Sequence, residues 1–172
     1  MARDKDERDQ AHWDQVEEAT ELLQERRYQD VLLALRDVIK AHPNNPYAYH
    51  YLGVAFFELD QREAARDAYT AAVRLAPDYL GARVALSHVL RLLGDTTSAL
   101  AQAKEALRRF PKDGEAMHAA GLAYAAKGQR KEARRQLEGY LGKNPEFEAA
   151  TEVRQILEML GLGDEGDPVE FE

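Results

Sequence analysis

Four of the six prolines in this 172-residue chain are evenly spaced. They are Pro43, Pro77, Pro111 and Pro145. Because proline interrupts helices, this spacing indicates a structural unit of about 34 residues that recurs along the chain. A unit of this length forms a helical hairpin, which cannot bury its apolar face alone and therefore stacks on its neighbours. The spacing predicts an all-α chain built from two-helix units.

Eight positions recur in the units that contain the last three prolines. In 46–79 they hold Tyr49, Leu52, Gly53, Phe56, Ala65, Tyr69, Ala72 and Pro77. In 80–113 they hold Arg83, Leu86, Ser87, Leu90, Ala99, Ala103, Ala106 and Pro111, and in 114–147 Met117, Ala120, Gly121, Tyr124, Ala133, Leu137, Tyr140 and Pro145. This pattern resembles the tetratricopeptide repeat (TPR), whose family pattern is W-L-G-Y-A-F-A-P. The resemblance implies a right-handed α-α superhelix of helical hairpins, a TPR solenoid.

The same spacing divides the chain into consecutive segments. We predict a charged N-terminal segment, a degenerate first repeat, three regular repeats, a C-terminal capping helix and an acidic flexible tail: 1–11, 12–45, 46–79, 80–113, 114–147, 148–161 and 162–172. Glu18 and Ala19 occupy the Leu-Gly positions of the first repeat. Its first helix still carries an apolar stripe at helical spacing: Trp13, Val16, Ala19, Leu22 and Leu23. Terminal repeats are commonly atypical because one face meets water.

Small residues recur where the two helices of a hairpin should cross. Gly53 with Ala65, and Gly121 with Ala133, let helix axes approach to roughly 8–10 Å. After Pro145 an amphipathic pattern predicts the capping helix, with one apolar side: Phe147, Ala150, Val153, Ile156, Leu157 and Leu160.

Turn and capping residues agree with the helical pattern. Gly94, Gly128 and Asp60 stand between the paired helices, where a helix C-terminus favours a residue that tolerates positive φ. Asn45, which is followed by proline, and Asp113 are predicted to cap helix N-termini with their side chains.

Composition and charge exclude several classes of function. The chain has no cysteine, which removes disulfides and thiolate zinc sites. Residues 46–145 carry a net charge of +4, whereas residues 146–172 carry −8. An acidic tail opposes phosphate backbones, so we expect no nucleic-acid partner. No signal-peptide pattern or long apolar stretch is present, so we expect a cytoplasmic protein without membrane insertion.

No combination of residues indicates catalysis. The sequence contains no Gly-rich phosphate loop, no H-E-x-x-H and no G-x-S-x-G. We therefore expect no enzyme, no catalytic residue, no cofactor and no bound metal.

The TPR resemblance also implies which residues line the concave groove. They come from four positions on the first helix of each repeat: Tyr47, His50, Val54, Phe57, Val84, His88, Arg91, Glu115, His118 and Leu122. Three are histidines, which leaves open a pH-responsive groove. A shared metal site is disfavoured, because His50 and His118 would be separated by about two helix spacings of roughly 10 Å each. The Lys and Asn clamp by which some TPR proteins hold chaperone C-termini is missing.

These features predict a non-catalytic protein–protein interaction adaptor that binds a peptide or helix of a partner protein in the groove. The alternative is a chaperone of a secreted or membrane-active client, because the chain is similar to the small acidic TPR (class II) chaperones of bacterial type III secretion. The Ala- and Arg-rich composition indicates a bacterial source, and homo-oligomer formation stays open. The acidic tail is also predicted to fold back onto the groove or onto a basic cluster: Arg130, Lys131, Arg134 and Arg135.

Overall fold

Helices joined by short turns follow one another along the chain. The computed structural model describes residues 9–162, and no strand occurs in that range. Residues 9–14 are helical (α1). The helices that follow are α2 (Glu17–Gln24), α3 (Tyr28–Ala41), α4 (Pro46–Glu58), α5 (Arg62–Leu75), α6 (Leu80–Leu92), α7 (Thr96–Arg109), α8 (Gly114–Ala126), α9 (Arg130–Leu141) and α10 (Phe147–Leu162). The predicted all-α fold is confirmed.

Helix starts repeat with the period of the prolines. Helices α4, α6 and α8 contain 13 residues each, and their first residues are separated by the same interval as the prolines. The first residues of α3, α5, α7 and α9 are separated by that interval too. Because both helices of the hairpin recur with one period, the chain is a helical repeat protein.

Turn chemistry follows the same period and extends into the first repeat. Gly94 and Gly128 have φ of 83° and 72°, and Asp60 has φ of 56°, as their places between helices predicted. Arg26, which stands one repeat before Asp60, also has a positive φ of 58°. Its residue type did not indicate this, because arginine has no special tolerance for the left-handed region. The degenerate repeat therefore keeps the turn geometry of the regular ones.

The predicted caps at Asn45 and Asp113 are confirmed. The Asn45 side-chain oxygen accepts from the backbone N–H groups of Tyr47 and Ala48, at 2.9 and 3.1 Å. Its amide nitrogen donates to the His12 carbonyl at 2.8 Å, and the whole residue is buried. Asp113 accepts from the Ala116 N–H at 3.0 Å. Asn45 thus starts α4 and also ties it to the end of α1.

The first repeat differs from the pattern in its first helix. Its apolar stripe predicted one continuous helix, but a turn at residues 15–16 separates α1 from α2. The N–H of Val16 donates to the Trp13 carbonyl at 3.0 Å, which closes a turn tighter than that of an α-helix. The side-chain oxygen of Gln15 accepts a hydrogen bond from the Asn45 amide at 3.0 Å, so it contacts the residue that precedes α4.

The chain divides into two compact bodies, an N-terminal body that ends at Gly94 and a C-terminal body that begins at Asp95. The N-terminal body contains α1–α6 around a core of small and branched side chains: Val16, Ala19, Val31, Leu35, Ala48 and Ala55. The C-terminal body contains α7–α10 around two clusters: Ala103, Ala120 and Ala123, and Leu137, Tyr140 and Val153. The predicted segments 1–11 and 162–172 lie mostly outside the described residues, and so does the folding back of the tail.

Glycine permits the close crossing inside two hairpins. A Cβ atom on Gly53 of α4 would lie 2.5 Å from Cε1 of Tyr69 on α5. A Cβ atom on Gly121 of α8 would lie 2.5 Å from Cδ2 of Leu137 on α9. Both distances are shorter than carbon atoms tolerate, so a side chain at either position would push the helices apart. The alanines predicted at these crossings are fully buried: Ala65 and Ala133.

The capping helix α10 packs through its predicted stripe with one exception, and Ile156, Leu157 and Leu160 lie against the cluster that includes Leu137 of α9. Ala150 and Val153 are buried, and Val153 joins the cluster of Leu137 and Tyr140. The prediction was wrong for Phe147, which is 80% exposed. This residue begins α10, ahead of the positions that reach the core. Within residues 9–162, no helix combines the length and apolar character needed to cross a bilayer.

We expect Gly121→Ala to lower the free energy of unfolding by up to about 2 kcal/mol. The methyl group would overlap Leu137, which costs about 1–3 kcal/mol, and the higher helix propensity of alanine offsets only about 1 kcal/mol. Urea denaturation followed by circular dichroism measures the change.

The matched control is Gly114→Ala in the same helix. A Cβ atom there would lie 3.5 Å from Cγ of Lys143, an ordinary contact. We expect its stability to stay within about 0.5 kcal/mol of the wild type. A Gly121→Ala variant more stable than the wild type would show that the helices do not cross tightly.

Candidate partner-binding face

Seven of the ten predicted groove residues lie in the N-terminal body, on α4 and α6. The structure brings several of them together at the ends of these helices. The Phe57 ring lies 5.5 Å from the His88 imidazole, between ring centroids. Nη2 of Arg91 lies 3.1 Å from Nδ1 of His88. We give the name α4–α6 face to the predicted groove residues of these two helices other than His50: Tyr47, Val54, Phe57, Val84, His88 and Arg91.

A cluster of aromatic rings continues this face towards α1. Trp13 stacks on Tyr47 with ring centroids 4.5 Å apart, and Tyr79 meets Tyr47 edge to face at 5.1 Å. The aromatic cluster consists of Trp13, Tyr47, His50, Tyr51, Tyr69 and Tyr79. Each such pair contributes about 0.5–1.5 kcal/mol beyond the burial of its area. The rings are therefore held in place before any partner arrives.

Trp13 belongs to the candidate site, although the sequence analysis placed it only on the apolar stripe of the first repeat. It stands one repeat before Tyr47, so it occupies the same repeat position. It is 41% exposed despite its stacking. Extending the groove positions into the degenerate repeat would have found it.

His50 lies inside the aromatic cluster rather than on an open surface. Its ring centroid is 4.9 Å from that of Tyr79 and 5.2 Å from that of Tyr51. Nδ1 is buried and has no hydrogen-bond partner among the described residues. Desolvation by burial lowers the pKa of His50 to about 4. The imidazole is neutral at pH 7, so His50 does not supply the pH response that the sequence left open.

The other three predicted groove residues lie on α8 in the C-terminal body. The His118 ring stacks on Tyr140 of α9 with centroids 4.5 Å apart. Leu122 packs against the cluster that holds α10. Burial raises the pKa of Tyr140, and the charge of the exposed Glu115 adds to that rise. His118 and Leu122 therefore support neighbouring helices of their own body.

A second apolar surface lies between α3 and α4. This α3–α4 groove has a volume of about 580 Å³ and is lined by Gln29, Leu32, Leu33, Arg36, Ile39, Tyr49, Leu52 and Phe56. Leu33 is 54% exposed. Successive helix residues are rotated by about 100°, so Leu52 lies almost opposite Val54 on α4. The repeat pattern placed Tyr49, Leu52 and Phe56 only among its recurring positions, and it did not predict this groove.

Sequence comparisons agree with the repeat pattern. Residues 16–80 and residues 90–160 each match a tetratricopeptide repeat profile. A stretch of 65 residues is 34% identical to Superkiller complex protein 3 from Homo sapiens. That stretch is 38% of this chain but only 4% of the human protein.

Solved structures show the same fold. MamA (41-end) from Desulfovibrio magneticus RS-1 is similar with a TM-score of 0.77 and 18% identity, over 90% of this chain and 85% of that one. Another crystal structure of MamA has a TM-score of 0.67 and 26% identity, over 75% and 70% of the two chains. YrrB, described as a TPR protein with an unusual peptide-binding site, has a TM-score of 0.68 and 22% identity, over 80% and 71%.

We expect His50→Phe to weaken the acid sensitivity of the fold. In the unfolded chain histidine titrates near pH 6.5, whereas the folded pKa is about 4. Between these pH values the unfolded state binds more protons than the folded state. The stability that depends on a neutral His50 is therefore complete above about pH 6.5 and is lost as the pH falls towards 4. The slope is at most about 1.4 kcal/mol per pH unit. Denaturation midpoints of both proteins across this range measure the difference.

A reference measurement near pH 8 separates packing from protonation, because neutral histidine is then present in both states. Any stability difference there reflects the exchange of rings within the cluster. Parallel stability curves for wild type and variant from about pH 8 to 4.5 would contradict the buried neutral state of His50.

Proposed function

Because the chain belongs to the tetratricopeptide repeat family, whose members are generally protein-interaction adaptors, we propose that it is a non-catalytic adaptor. Its site is the α4–α6 face together with Trp13, and its ligand is an extended or helical segment of a partner protein. The observation that carries the proposal is a pair of pre-positioned ring contacts that stay partly open: Trp13 stacked on Tyr47, and Phe57 beside His88.

The chemistry of this face suits a protein partner. Trp, Tyr and Arg are the residue types enriched at binding hot spots. Three apolar residues of this face are half-buried: Val54, Phe57 and Val84. They offer apolar contact to a partner, while the helices around them restrict the motion of their side chains. Because the rings already pack on one another, binding orders few side chains, which lowers the entropic cost of association. The peptide-binding site named for YrrB supports a similar activity on this fold.

One short segment on such a face should bind with roughly micromolar affinity, near −8 kcal/mol.

The ten predicted groove residues fall into two groups under this proposal. Seven belong to the proposed site or support it, and the binding role of the three on α8 remains a prediction. The cytoplasmic location also remains a prediction from the sequence.

The test selects displayed random peptides on the immobilised chain and measures their affinity by fluorescence anisotropy. We expect Trp13→Ala and Phe57→Ala to weaken selected peptides about tenfold or more. Trp13 is the only tryptophan, so a shift of its emission in the wild type reports contact with this face directly.

Leu33→Ala serves as the matched control, since it removes an exposed leucine outside the proposed site. The Leu33→Ala chain should bind the selected peptides with the affinity of the wild type. Circular dichroism should show that Trp13→Ala, Phe57→Ala and Leu33→Ala all stay folded. Selected peptides that bind Trp13→Ala and Phe57→Ala as tightly as the wild type would place the site elsewhere.

A chaperone of a secreted or membrane-active client is the second candidate. The α3–α4 groove favours it, because a chaperone needs an exposed apolar surface to cover the client and Leu33 is 54% exposed there. We expect the chain to suppress light scattering by a heat-aggregating enzyme, and Leu33→Glu to lose much of that effect while Trp13→Ala keeps it. A chain that leaves the scattering unchanged would exclude this role.

A further inference from the structure

The α3–α4 groove carries an exposed apolar residue that the repeat does not require. Leu33 on α3 is 54% exposed. The residues that stand one, two and three repeats later, on α5, α7 and α9, are also exposed but are not large and apolar: Asp67, Ala101 and Arg135. Because these three repeats fold with other residue types at this place, the leucine is a feature of the first repeat and not of the architecture.

The α4 wall of the groove is more open than the matching surface one repeat later. Tyr49, Leu52 and Phe56 of α4 are half-buried. Their counterparts on α6 are buried: Arg83, Leu86 and Leu90. Both walls of the α3–α4 groove therefore leave apolar surface uncovered at positions where the later repeats do not.

The walls of the groove favour a helix as its occupant. Its lining on α3 runs from Gln29 to Ile39, a length of about 15 Å or three helical turns. Five of the eight described residues that line it have side chains without any polar atom. An extended segment would bring its own N–H and C=O groups against this apolar surface without partners, whereas a helix pairs these groups internally.

The groove is small for an interface between two copies of this chain. Eight residues line it in the described part of the chain, whereas a stable protein–protein interface uses about 20–30 residues on each side. A single helix of a partner protein matches the available length and lining better than a second copy does.

Arg36 supplies the charged group among the eight described residues that line the groove. Its Nε donates to Oδ1 of Asp37 at 3.1 Å, and the two side chains are 67% and 70% exposed. Exposed ion pairs of this kind are weak, and a guanidinium has several further N–H donors. Arg36 can therefore bind a carboxylate of a partner while it keeps its contact with Asp37.

We propose that the α3–α4 groove binds an amphipathic helix of a partner protein. The apolar stripe of that helix covers Leu33 and Phe56, and an Asp or Glu beside the stripe pairs with Arg36. This inference rests on the proposed protein-binding function, and it names the ligand of the groove that the second candidate function uses. Since the groove and the α4–α6 face lie on opposite sides of α4, the chain can hold two partner segments at once.

The experiment selects binders on the immobilised full chain from a displayed library of helices about 16 residues long. Counter-selection on the Leu33→Glu chain removes helices that bind elsewhere. We expect the selected helices to share an apolar stripe of helical spacing with Asp or Glu beside it. Fluorescence anisotropy should give roughly micromolar affinities. A proline at the centre of a selected peptide should weaken binding about tenfold or more, because it breaks the helix.

Arg36→Gln tests the charged contact. It should weaken the selected helices about threefold to tenfold, because their carboxylate loses a charged partner. The matched control is Arg74→Gln, which removes an exposed arginine that does not line the groove. This control should bind like the wild type, and circular dichroism should show that both variants stay folded.

Failure to enrich any helix, or equal binding of the peptides with a central proline, would overturn the helix site. Equal affinities of the Arg36→Gln and Arg74→Gln chains would overturn the contact with a carboxylate. In each case, peptides that bind the α4–α6 face and lose affinity with Trp13→Ala would still support the adaptor function, so the two failures are distinguishable.

Discussion

Paired helices cross very closely in this chain, and most other features of its structure follow from that crossing. Gly53 lies under the ring of Tyr69, and Gly121 lies under the side chain of Leu137, with no room for a Cβ atom at either place. Cores made largely of alanine follow from the same geometry, since only small side chains fit between helices at this distance. The hairpins therefore gain stability from the tight packing of small side chains around a few large buried ones, such as Tyr69 and Leu137.

The position of the aromatic cluster follows from that packing. Tyr69 covers Gly53 from α5 and also lies 5.7 Å from His50, between ring centroids, so the crossing and the cluster share a residue. Tyr47 in turn contacts the rings of both Trp13 and Tyr79. Because α4 is held by these contacts, the helix can expose apolar side chains on two opposite sides. One side forms the α4–α6 face, and the other forms the α3–α4 groove.

Much of the fold could be predicted from spacing alone. The even interval of the prolines predicted the helices, and neighbouring residues predicted the positive φ at Gly94 and Gly128 and the cap at Asn45, because each depends on residues close in sequence. Errors occurred where a distant contact decides. Phe147 matched the helical stripe but lies too far from α9 to join its core. The first helix of the degenerate repeat is interrupted at Gln15, whose side chain accepts a hydrogen bond from Asn45.

Local periodicity was sufficient to establish the family, the approximate helix boundaries and the side of each helix on which a residue lies. Whether that side is open or covered became known from the packing of the folded chain. His50 and Trp13 both occupy groove positions, yet His50 is enclosed by three tyrosines while Trp13 stays partly exposed. The two differ because exposure depends on which helices from elsewhere in the chain pack against a residue, and a repeat pattern does not contain that information.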